Sequence, residues 1–484
     1  MKISLKSKIQ NLLSHGIVYG LTSSLQGILG FVLLPILTDY YTPEEYGVYS
    51  IILLVSLLAS GFFYFGASSA LARFYFEEQK DLYKKQITSA ALLVTMVGAT
   101  LLISISITFG NKLSILIFNS KIYYVHIVLG CCGAAFGFLL NLMTLVLRYQ
   151  KRSTSFMVIT LFGVALNFGI TYVLLSVFSY GILAPLFGTL FSSTLCFILL
   201  FATNLSGLTI RLKSSHIKKI IIFGLQASAS GFLFYLLDYV DRLILKDLSS
   251  MSDVGVYSLG AKIGALINIT LLLPFSLIWS PMRMEYLNEE NNKEFSGQIF
   301  SYLSITGFAL ITISTLFASE LLTLVFINEK FSDAGKVFPV IMLALLFLGF
   351  QNIVDLGIIL RNKVYILSIV ALISIAFNVV MNYWLIPYYG YMASAYVTCL
   401  TYIISTGLIY LISSNYYKID LEWKRILWPL AILVVLYFMS NYTSVFQIHS
   451  LLKKILVAGF LATLFILFWL TEEEKKLARN LLRF

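Results

Sequence analysis

Residues 88–110 read TSAALLVTMVGATLLISISITFG, a run of 23 residues without one charged side chain. A helix rises about 1.5 Å per residue, so a run of this length crosses the ~30 Å of hydrocarbon in a bilayer. Similar runs recur along all 484 residues, of which 59% are hydrophobic and 12% charged, and the mean hydropathy is +0.88. This composition excludes a soluble globular enzyme and predicts an all-α integral membrane protein.

About fourteen such runs predict about fourteen transmembrane helices. The connections between them are short, which leaves no room for a soluble domain. The approximate bounds of the spans are 14–38, 46–70, 88–110, 122–147, 154–178, 181–204, 220–245, 254–279, 299–319, 336–360, 364–386, 390–413, 427–446 and 451–471.

An internal repeat groups these spans. The tetrapeptide GVYS occurs at residues 47–50 and again at residues 255–258, 208 positions later. Near the end of each copy, the Tyr-Gly pair of residues 180–181 recurs at residues 389–390, 209 positions later. We therefore predict two lobes of six helices each. Because six is even, both lobes cross the membrane in the same sense.

This repeat divides the chain into five predicted segments. An amphipathic helix lies on the membrane surface at residues 1–13, and the first lobe follows at 14–205. The second lobe occupies 220–413, two further spans occupy 427–471, and 472–484 form an amphipathic cytoplasmic tail.

The distribution of charge predicts the orientation. If the N-terminus lies in the cytoplasm, 25 of the 34 Lys and Arg residues fall in cytoplasmic segments, which follows the positive-inside rule. The net charge of +11 is then explained by topology, so no nucleic-acid partner is predicted and both termini are placed in the cytoplasm.

Motifs of soluble enzymes are absent from the sequence. It contains no phosphate loop, no Gly-x-Gly-x-x-Gly after a strand, no His-Glu-x-x-His and no Cys-x-x-Cys. We therefore predict no catalytic residue, no cofactor and no metal site, and we expect that the protein is not an enzyme. The four cysteines lie in apolar spans and are interpreted as small buried hydrophobic residues.

Five charged residues fall inside the predicted spans: Asp238, Asp241, Arg242, Lys262 and Asp355. A charge at the centre of the hydrocarbon costs at least ~2.5 kcal/mol on insertion scales, so it persists only when it is paired or faces a wet cavity. Asp238 and Arg242 share a helix face at i,i+4 spacing. Antiparallel packing of the next helix brings Lys262 to a similar depth, where an ion pair with Asp238 is available.

Two interpretations of this cluster stay open here. In the first, a structural salt bridge fixes the seventh helix against the eighth, and Arg242 reaches the outer interface. In the second, Arg242 and Lys262 line a polar cavity and attract an anionic group of a substrate, which Asp238 or Asp241 releases or couples. The first copy of the repeat carries apolar residues at the four corresponding positions, so the repeat itself does not require these charges.

Other polar residues are weaker candidates. Gln26 and Gln226 are predicted to face a cavity near the substrate. Asp39, Arg73 and Asp355 are candidates for gating or coupling. The alternative for Asp355, together with Gln351 on the same helix face, is hydrogen bonding between helices close to the inner interface.

The sequence also resembles a known family. The stretches LLPILTD at 33–39, TPEEYGVY at 42–49 and ALARFYF at 70–76 resemble the polysaccharide transporters that include the O-antigen flippases. Those transporters belong to the multidrug, oligosaccharidyl-lipid and polysaccharide exporter superfamily. The Asp238-x-x-Asp241-Arg242 stretch is similar to the seventh helix of that family.

This resemblance implies alternating access of two lobes around a cationic cavity. The implied substrate is an undecaprenyl-diphosphate-linked oligosaccharide, an O-antigen or capsule repeat unit, carried from the cytoplasmic to the outer leaflet of the bacterial inner membrane. Protons, sodium and the membrane potential all stay open as the driver, with coupling to a proton or sodium gradient as the expectation tested first. The expected partners are membrane lipids, a polysaccharide polymerase and a chain-length protein. Relatives that flip the peptidoglycan precursor carry more cations in the first lobe, which argues against that substrate here.

Two alternative functions share this hydropathy. A multidrug antiporter of the same superfamily predicts an acidic cavity in the first lobe, yet no carboxylate lies within the spans between residues 46 and 204. A membrane-embedded polysaccharide polymerase or glycosyltransferase predicts a sizeable outer loop, whereas the longest outer loop here, at about 320–335, is short.

Overall fold

The computed structural model describes residues 5–285, 292–325, 328–361, 363–423, 427–433 and 459. These residues contain no β-strand. They form sixteen α-helices, whose bounds are α1 Leu5–Tyr40, α2 Pro43–Phe63, α3 Ala67–Phe74, α4 Asp81–Phe118, α5 Tyr124–Tyr149, α6 Ser153–Ser176, α7 Leu183–Thr203, α8 Ser214–Leu248, α9 Met251–Gly264, α10 Leu273–Glu285, α11 Asn292–Leu316, α12 Ala318–Val325, α13 Ala334–Val354, α14 Leu356–Leu360, α15 Tyr365–Tyr389 and α16 Tyr391–Ser414.

The predicted all-α membrane fold is confirmed. Within the described ranges, eleven helical segments are long and apolar enough to cross a membrane. They match eleven of the fourteen predicted spans, and helix α8 covers the seventh. The last two predicted spans and the predicted tail at 472–484 lie outside the described residues, apart from 427–433 and 459. The total of fourteen therefore stays a prediction.

Helix α2 shows how local sequence sets the ends of a span. Its N-terminus is a capping box, in which the Thr42 side chain accepts from the backbone N–H of Glu45 and the Glu45 side chain accepts from that of Thr42. The helix ends at Phe63, because Phe65 and Gly66 adopt left-handed backbone angles with φ of 51° and 56°. The prediction that this span reaches residue 70 is thus wrong by about two turns.

The eighth predicted span is interrupted. Helix α9 ends at Gly264, a π-helical turn follows at Asn268–Leu272, and α10 continues from Leu273. Pro274 has no backbone N–H to donate, and its ring clashes with the carbonyl of the preceding turn in a regular helix. Placing Pro274 just after a π-turn avoids both penalties.

The chain forms two compact units. One unit comprises Met1–Leu259 with Ala371–Ser394, and the other comprises Gly260–Val370 with Ala395–Phe484. In the first unit, α8 packs against α2, α3 and α4, and α5 packs against α4 and α7. In the second unit, α13 packs against α11, and the segment Ala334–Leu360 is the most buried candidate span. The division into lobes at 14–205 and 220–413 stays a prediction.

Within the first unit, the two copies of the GVYS motif meet. A Cβ atom on Gly47 would overlap the carbonyl oxygen of Met251, and a Cβ atom on Gly255 would overlap the carbonyl oxygen of Pro43. Only glycine at both positions allows the backbones of α2 and α9 to approach this closely. The contact lies at the predicted outer ends of both helices.

The second repeated motif has the same geometry in both copies. Gly181 and Gly390 adopt left-handed angles, with φ of 52° and 56°, just before α7 and α16. Left-handed backbone is accessible to glycine without the Cβ penalty of other residues. The shared geometry supports the internal repeat.

Replacing Gly47 by Ala tests the glycine contact. We expect Gly47→Ala to lower the thermal midpoint of the purified protein in detergent, because the added methyl group has no space and overpacking costs about 1–3 kcal/mol. Gly61→Ala in the same helix is the control, since nothing lies within 4 Å of a Cβ at Gly61. Equal midpoints for the two variants would contradict the contact.

Candidate functional site

Helix α8 places Asp238, Asp241 and Arg242 in the first unit. The Asp241 side chain is fully buried. One of its carboxylate oxygens accepts a hydrogen bond from the Tyr257 hydroxyl of α9, and the other accepts from the backbone N–H of Arg242 at 2.7 Å. Since Tyr257 belongs to the second GVYS motif, the carboxylate ties α8 to the helix that contacts Gly47.

The guanidinium of Arg242 rests on aromatic faces. Its central carbon lies 4.6 Å from the ring centroid of Tyr239 and 5.6 Å from that of Tyr257. Such cation–π contacts stabilise a desolvated cation by up to about 2 kcal/mol. Among the described residues the buried Nε of Arg242 has no hydrogen-bond partner. The side chain thus retains donor capacity for an anion.

This geometry bears on both interpretations of the charged cluster. Asp241 and Arg242 are held by tyrosines at the contact of the two repeat copies, which is a structural role. Lys262 lies on α9, exposed and in the other compact unit, so its predicted pairing with Asp238 stays a prediction. The predicted binding of an anion by Arg242 and Lys262 likewise stays a prediction.

Gln26 lines a polar cavity inside the first unit. The cavity has a volume of about 410 Å³ and is formed by α1, α5, α6 and α7. Its lining includes Gln26, Ser23, Asn141, Thr144, Asn167 and Arg148. The prediction that Gln26 faces a cavity is therefore consistent with its position, whereas the predicted role in substrate binding is untested.

Sequence reasoning missed Arg148 as a cavity residue. The predicted fourth span ends at residue 147 and so leaves Arg148 in the connection that follows. In the structure Arg148 lies in the last turn of α5, with its guanidinium 5.4 Å from the ring centroid of Phe156. A signal was present in the sequence, because Asn141, Thr144 and Arg148 stand at i, i+3 and i+7 and so share one face of an otherwise apolar helix.

Gln226 and Asp39 are exposed side chains on α8 and α1. Asp247, the repeat counterpart of Asp39, pairs with the adjacent Lys246 at 2.6 Å. The predicted cavity role of Gln226 and the predicted gating role of Asp39 stay predictions.

Arg73 lies near a polar contact at the predicted cytoplasmic side. Between α3 and α4, Glu77 accepts a hydrogen bond from the Tyr83 hydroxyl and pairs with Lys219 of α8 at 3.2 Å. The Tyr83 hydrogen bond, then Lys219, and more weakly Arg73 lower the pKa of Glu77 below its usual value. This contact connects the start of α8 to the first repeat copy, but its exposure keeps the energy of the ion pair small.

Asp355 lies in the second unit and forms an ion pair with Arg283. The guanidinium of Arg283, which stands 210 positions after Arg73 in the sequence, lies 3.2 Å from the Asp355 carboxylate and 3.1 Å from the backbone oxygen of Asn352. Gln351 donates to the Ser405 hydroxyl of α16 at 2.7 Å. Hydrogen bonding between helices is thus confirmed for this face of α13, and the gating role of Asp355 stays a prediction.

Comparisons with known proteins come from one family profile and from solved structures. The profile of a family described as polysaccharide biosynthesis protein matches residues 12–287. No curated protein matches the chain by sequence. The lipid II flippase MurJ, in an inward closed conformation, is similar over 93% of this chain and 98% of its own, with a TM-score of 0.73 and 17% identity.

Two MATE transporters are also similar. An inward-facing MATE family transporter of the MOP superfamily is similar over 87% of this chain and 96% of its own, with a TM-score of 0.63 and 15% identity. A MATE transporter from Vibrio cholerae is similar over 85% and 97%, with a TM-score of 0.60 and 14% identity. At these identities the likenesses show the fold alone.

The hydrogen bond between Tyr257 and Asp241 is tested by removing one hydroxyl. We expect Tyr257→Phe to lower the thermal midpoint in detergent, because the loss of a hydrogen-bond donor to a buried carboxylate costs about 1–3 kcal/mol of stability. Tyr239→Phe is the control, since it keeps the ring face that Arg242 contacts. The assignment fails if both variants melt at the same temperature as the parent.

The pair of Arg283 and Asp355 is tested by a double-mutant cycle to Ala. Both side chains are mostly buried, at 16% and 12% exposure, so we expect a coupling energy of at least about 1 kcal/mol. The control cycle uses Lys336 and Asp333, a pair about half exposed, for which we expect little coupling. Urea unfolding in mixed micelles measures both coupling energies. Additive changes in the free energy of unfolding for the Arg283 and Asp355 variants would disprove the ion pair.

Proposed function

The chain belongs to the polysaccharide biosynthesis protein family, which confirms the resemblance predicted from its sequence, and we propose that it is a flippase for lipid-linked oligosaccharides. In this proposal an undecaprenyl-diphosphate-linked repeat unit of an O-antigen or capsule moves from the cytoplasmic to the outer leaflet of the bacterial inner membrane. Both termini lie in the cytoplasm, and the protein transports its substrate without chemical conversion.

The observation that carries this proposal is the environment of the Arg242 side chain. A cation within a membrane-spanning helix is costly unless it is paired or faces water or a ligand. Its guanidinium is held on two tyrosine rings, and its buried Nε has no partner among the described residues. A planar guanidinium whose Nε–H lacks an acceptor suits a diphosphate, because phosphate oxygens accept parallel hydrogen bonds from a guanidinium.

The contact between the GVYS motifs suggests how this site is controlled. The close approach of Gly47 and Gly255 lies beside Tyr257, which supports both Asp241 and the guanidinium of Arg242. If α2 and α9 separate at their outer ends during alternating access, Tyr257 moves and Arg242 loses an aromatic partner. In this cycle Arg242 and Lys262 bind the anionic head group before the outer ends separate, and Asp238 or Asp241 releases it afterwards.

The remaining predicted roles belong to the same proposal. Gln26 and Gln226 contact the substrate, while Asp39, Arg73 and Asp355 take part in gating or coupling. A proton or sodium gradient drives the cycle. The oligosaccharide then passes to a polymerase and a chain-length protein on the outer side.

The chemistry of the first unit favours an oligosaccharide over a cationic drug. A multidrug antiporter of this fold needs a negative group to attract cations, whereas no Asp or Glu lines the 410 Å³ cavity, and its one charged residue is Arg148. The cavity therefore repels cations and supports an uncharged or anionic substrate.

Replacing Arg242 and Lys262 together by Ala tests the proposal. We expect loss of surface polysaccharide and accumulation of the lipid-linked repeat unit in the inner membrane, with unchanged protein abundance, because the diphosphate loses its cationic partners. Surface polysaccharide is measured with a specific lectin or antiserum, and the lipid-linked unit by mass spectrometry of membrane extracts.

The matched control is Lys112→Ala, which removes an exposed cation on the predicted outer side. We expect this variant to behave like the parent. Normal surface polysaccharide in the double variant would rule out Arg242 and Lys262 as the binding site, and absence of the lipid-linked unit would rule out a transport defect.

A further inference from the structure

The cavity lined by Arg148 has the size of a ligand site. Its volume of about 410 Å³ falls within the ~300–1,000 Å³ of small-molecule pockets. On α5 its lining runs from Gly137 to Arg148, a separation of eleven positions or about 16 Å of helix. It thus extends from the middle of the span to the predicted cytoplasmic end, the side on which the proposed substrate begins its passage.

The lining of this cavity suits hydroxyl groups. Nine of its sixteen residues carry a neutral Ser, Thr, Asn or Gln side chain. The hydroxyls of Thr144 and Thr189 donate to backbone oxygens of their own helices at 2.8 and 2.9 Å, so their lone pairs remain as acceptors. The amides of Gln26 and Asn141 supply both donors and acceptors. Sugar hydroxyls, which donate and accept, match such a set.

The cavity contains one charged residue, Arg148, which can bind an anion. Arg148 is the single ionisable residue of the lining, and its Nε is buried without a hydrogen-bond partner among the described residues. The Arg148 side chain is half-buried at the cytoplasmic end of α5, and a hydrogen bond between two ionised groups is stronger than one to a neutral group. A ligand that carries one negative group therefore binds Arg148 more strongly than a neutral sugar does.

We propose that this cavity binds an acidic sugar residue of the transported oligosaccharide. The neutral side chains hold its hydroxyls, and Arg148 binds its carboxylate. This inference rests on the proposed function, but it concerns a different place from Arg242, so the sugar and the lipid diphosphate have separate binding sites. A bare phosphate bound to Arg148 is too small to reach the neutral side chains along the rest of the cavity, which extends about 16 Å along α5.

Saturation-transfer NMR on the purified full-length protein in detergent tests the cavity. The probes are glucuronate, galacturonate, glucose, galactose and inorganic phosphate at equal concentrations. We expect the two uronates to bind more tightly than the two neutral sugars, and phosphate to compete poorly. Arg148→Gln weakens uronate binding roughly tenfold or more, because a hydrogen bond to a charged group contributes about 1.5–3 kcal/mol.

Two further variants keep the result interpretable. Gln26→Leu removes an amide from the lining and should weaken the binding of uronates and of neutral sugars to the same extent. Lys151→Gln removes the same charge from an exposed residue outside the cavity and should change nothing. Equal binding of uronates and neutral sugars, phosphate competing as well as uronate, or uronate binding that survives Arg148→Gln would each overturn the proposal.

These readouts separate the two proposals. Uronate binding that depends on Arg148 supports the acidic-sugar site even if the Arg242 and Lys262 variant keeps normal surface polysaccharide, in which case the proposed function fails. Surface polysaccharide that depends on Arg242 and Lys262 without any uronate binding overturns the acidic-sugar site and leaves the flippase standing.

Discussion

Hydrocarbon does not solvate polar groups, and the rest of the structure follows from this constraint. Backbone groups are satisfied within long helices, and hydroxyls such as those of Ser56 and Thr95 donate to the backbone of their own helix at 2.8 and 2.9 Å. Charged side chains have fewer options. Asp355 pairs with Arg283, and Arg242 rests on tyrosine rings. Each solution fixes one helix against another, so the cost of burying a charge also determines where helices pack.

The spans were predictable because the bilayer imposes length and composition, and the repeat was predictable because its motifs carry a structural role. Gly47 and Gly255 recur because both backbones must approach closely, and Gly181 and Gly390 recur because both need a left-handed conformation. The end of α2 was predicted wrongly, since apolar composition continues past Gly66 while the backbone turns there. Composition reports what the lipid tolerates, and it does not report where a helix stops.

The candidate site was predictable only in part. The charges of α8 were evident because charge in a span is rare, but their partners were not, since Tyr239 and Tyr257 look like ordinary membrane aromatics in sequence. Arg148 was assigned to a loop because it stands at the end of a span. Its place in the cavity depends on the polar face that α5 shares with neighbouring helices, which only the packing reveals. The glycines are common to both repeat copies, whereas Arg242 has an apolar counterpart, Leu34, so the repeat itself does not require the charge.

Movement of a lipid-linked oligosaccharide between leaflets is the central claim, and reconstitution measures it directly. The purified protein is incorporated into sealed vesicles that contain an undecaprenyl-diphosphate-linked oligosaccharide in both leaflets, and a membrane-impermeant periodate reagent is added outside. The account predicts that vesicles with protein expose sugar beyond the outer-leaflet share over time. Oxidation that stops at the same level as in protein-free vesicles would contradict it.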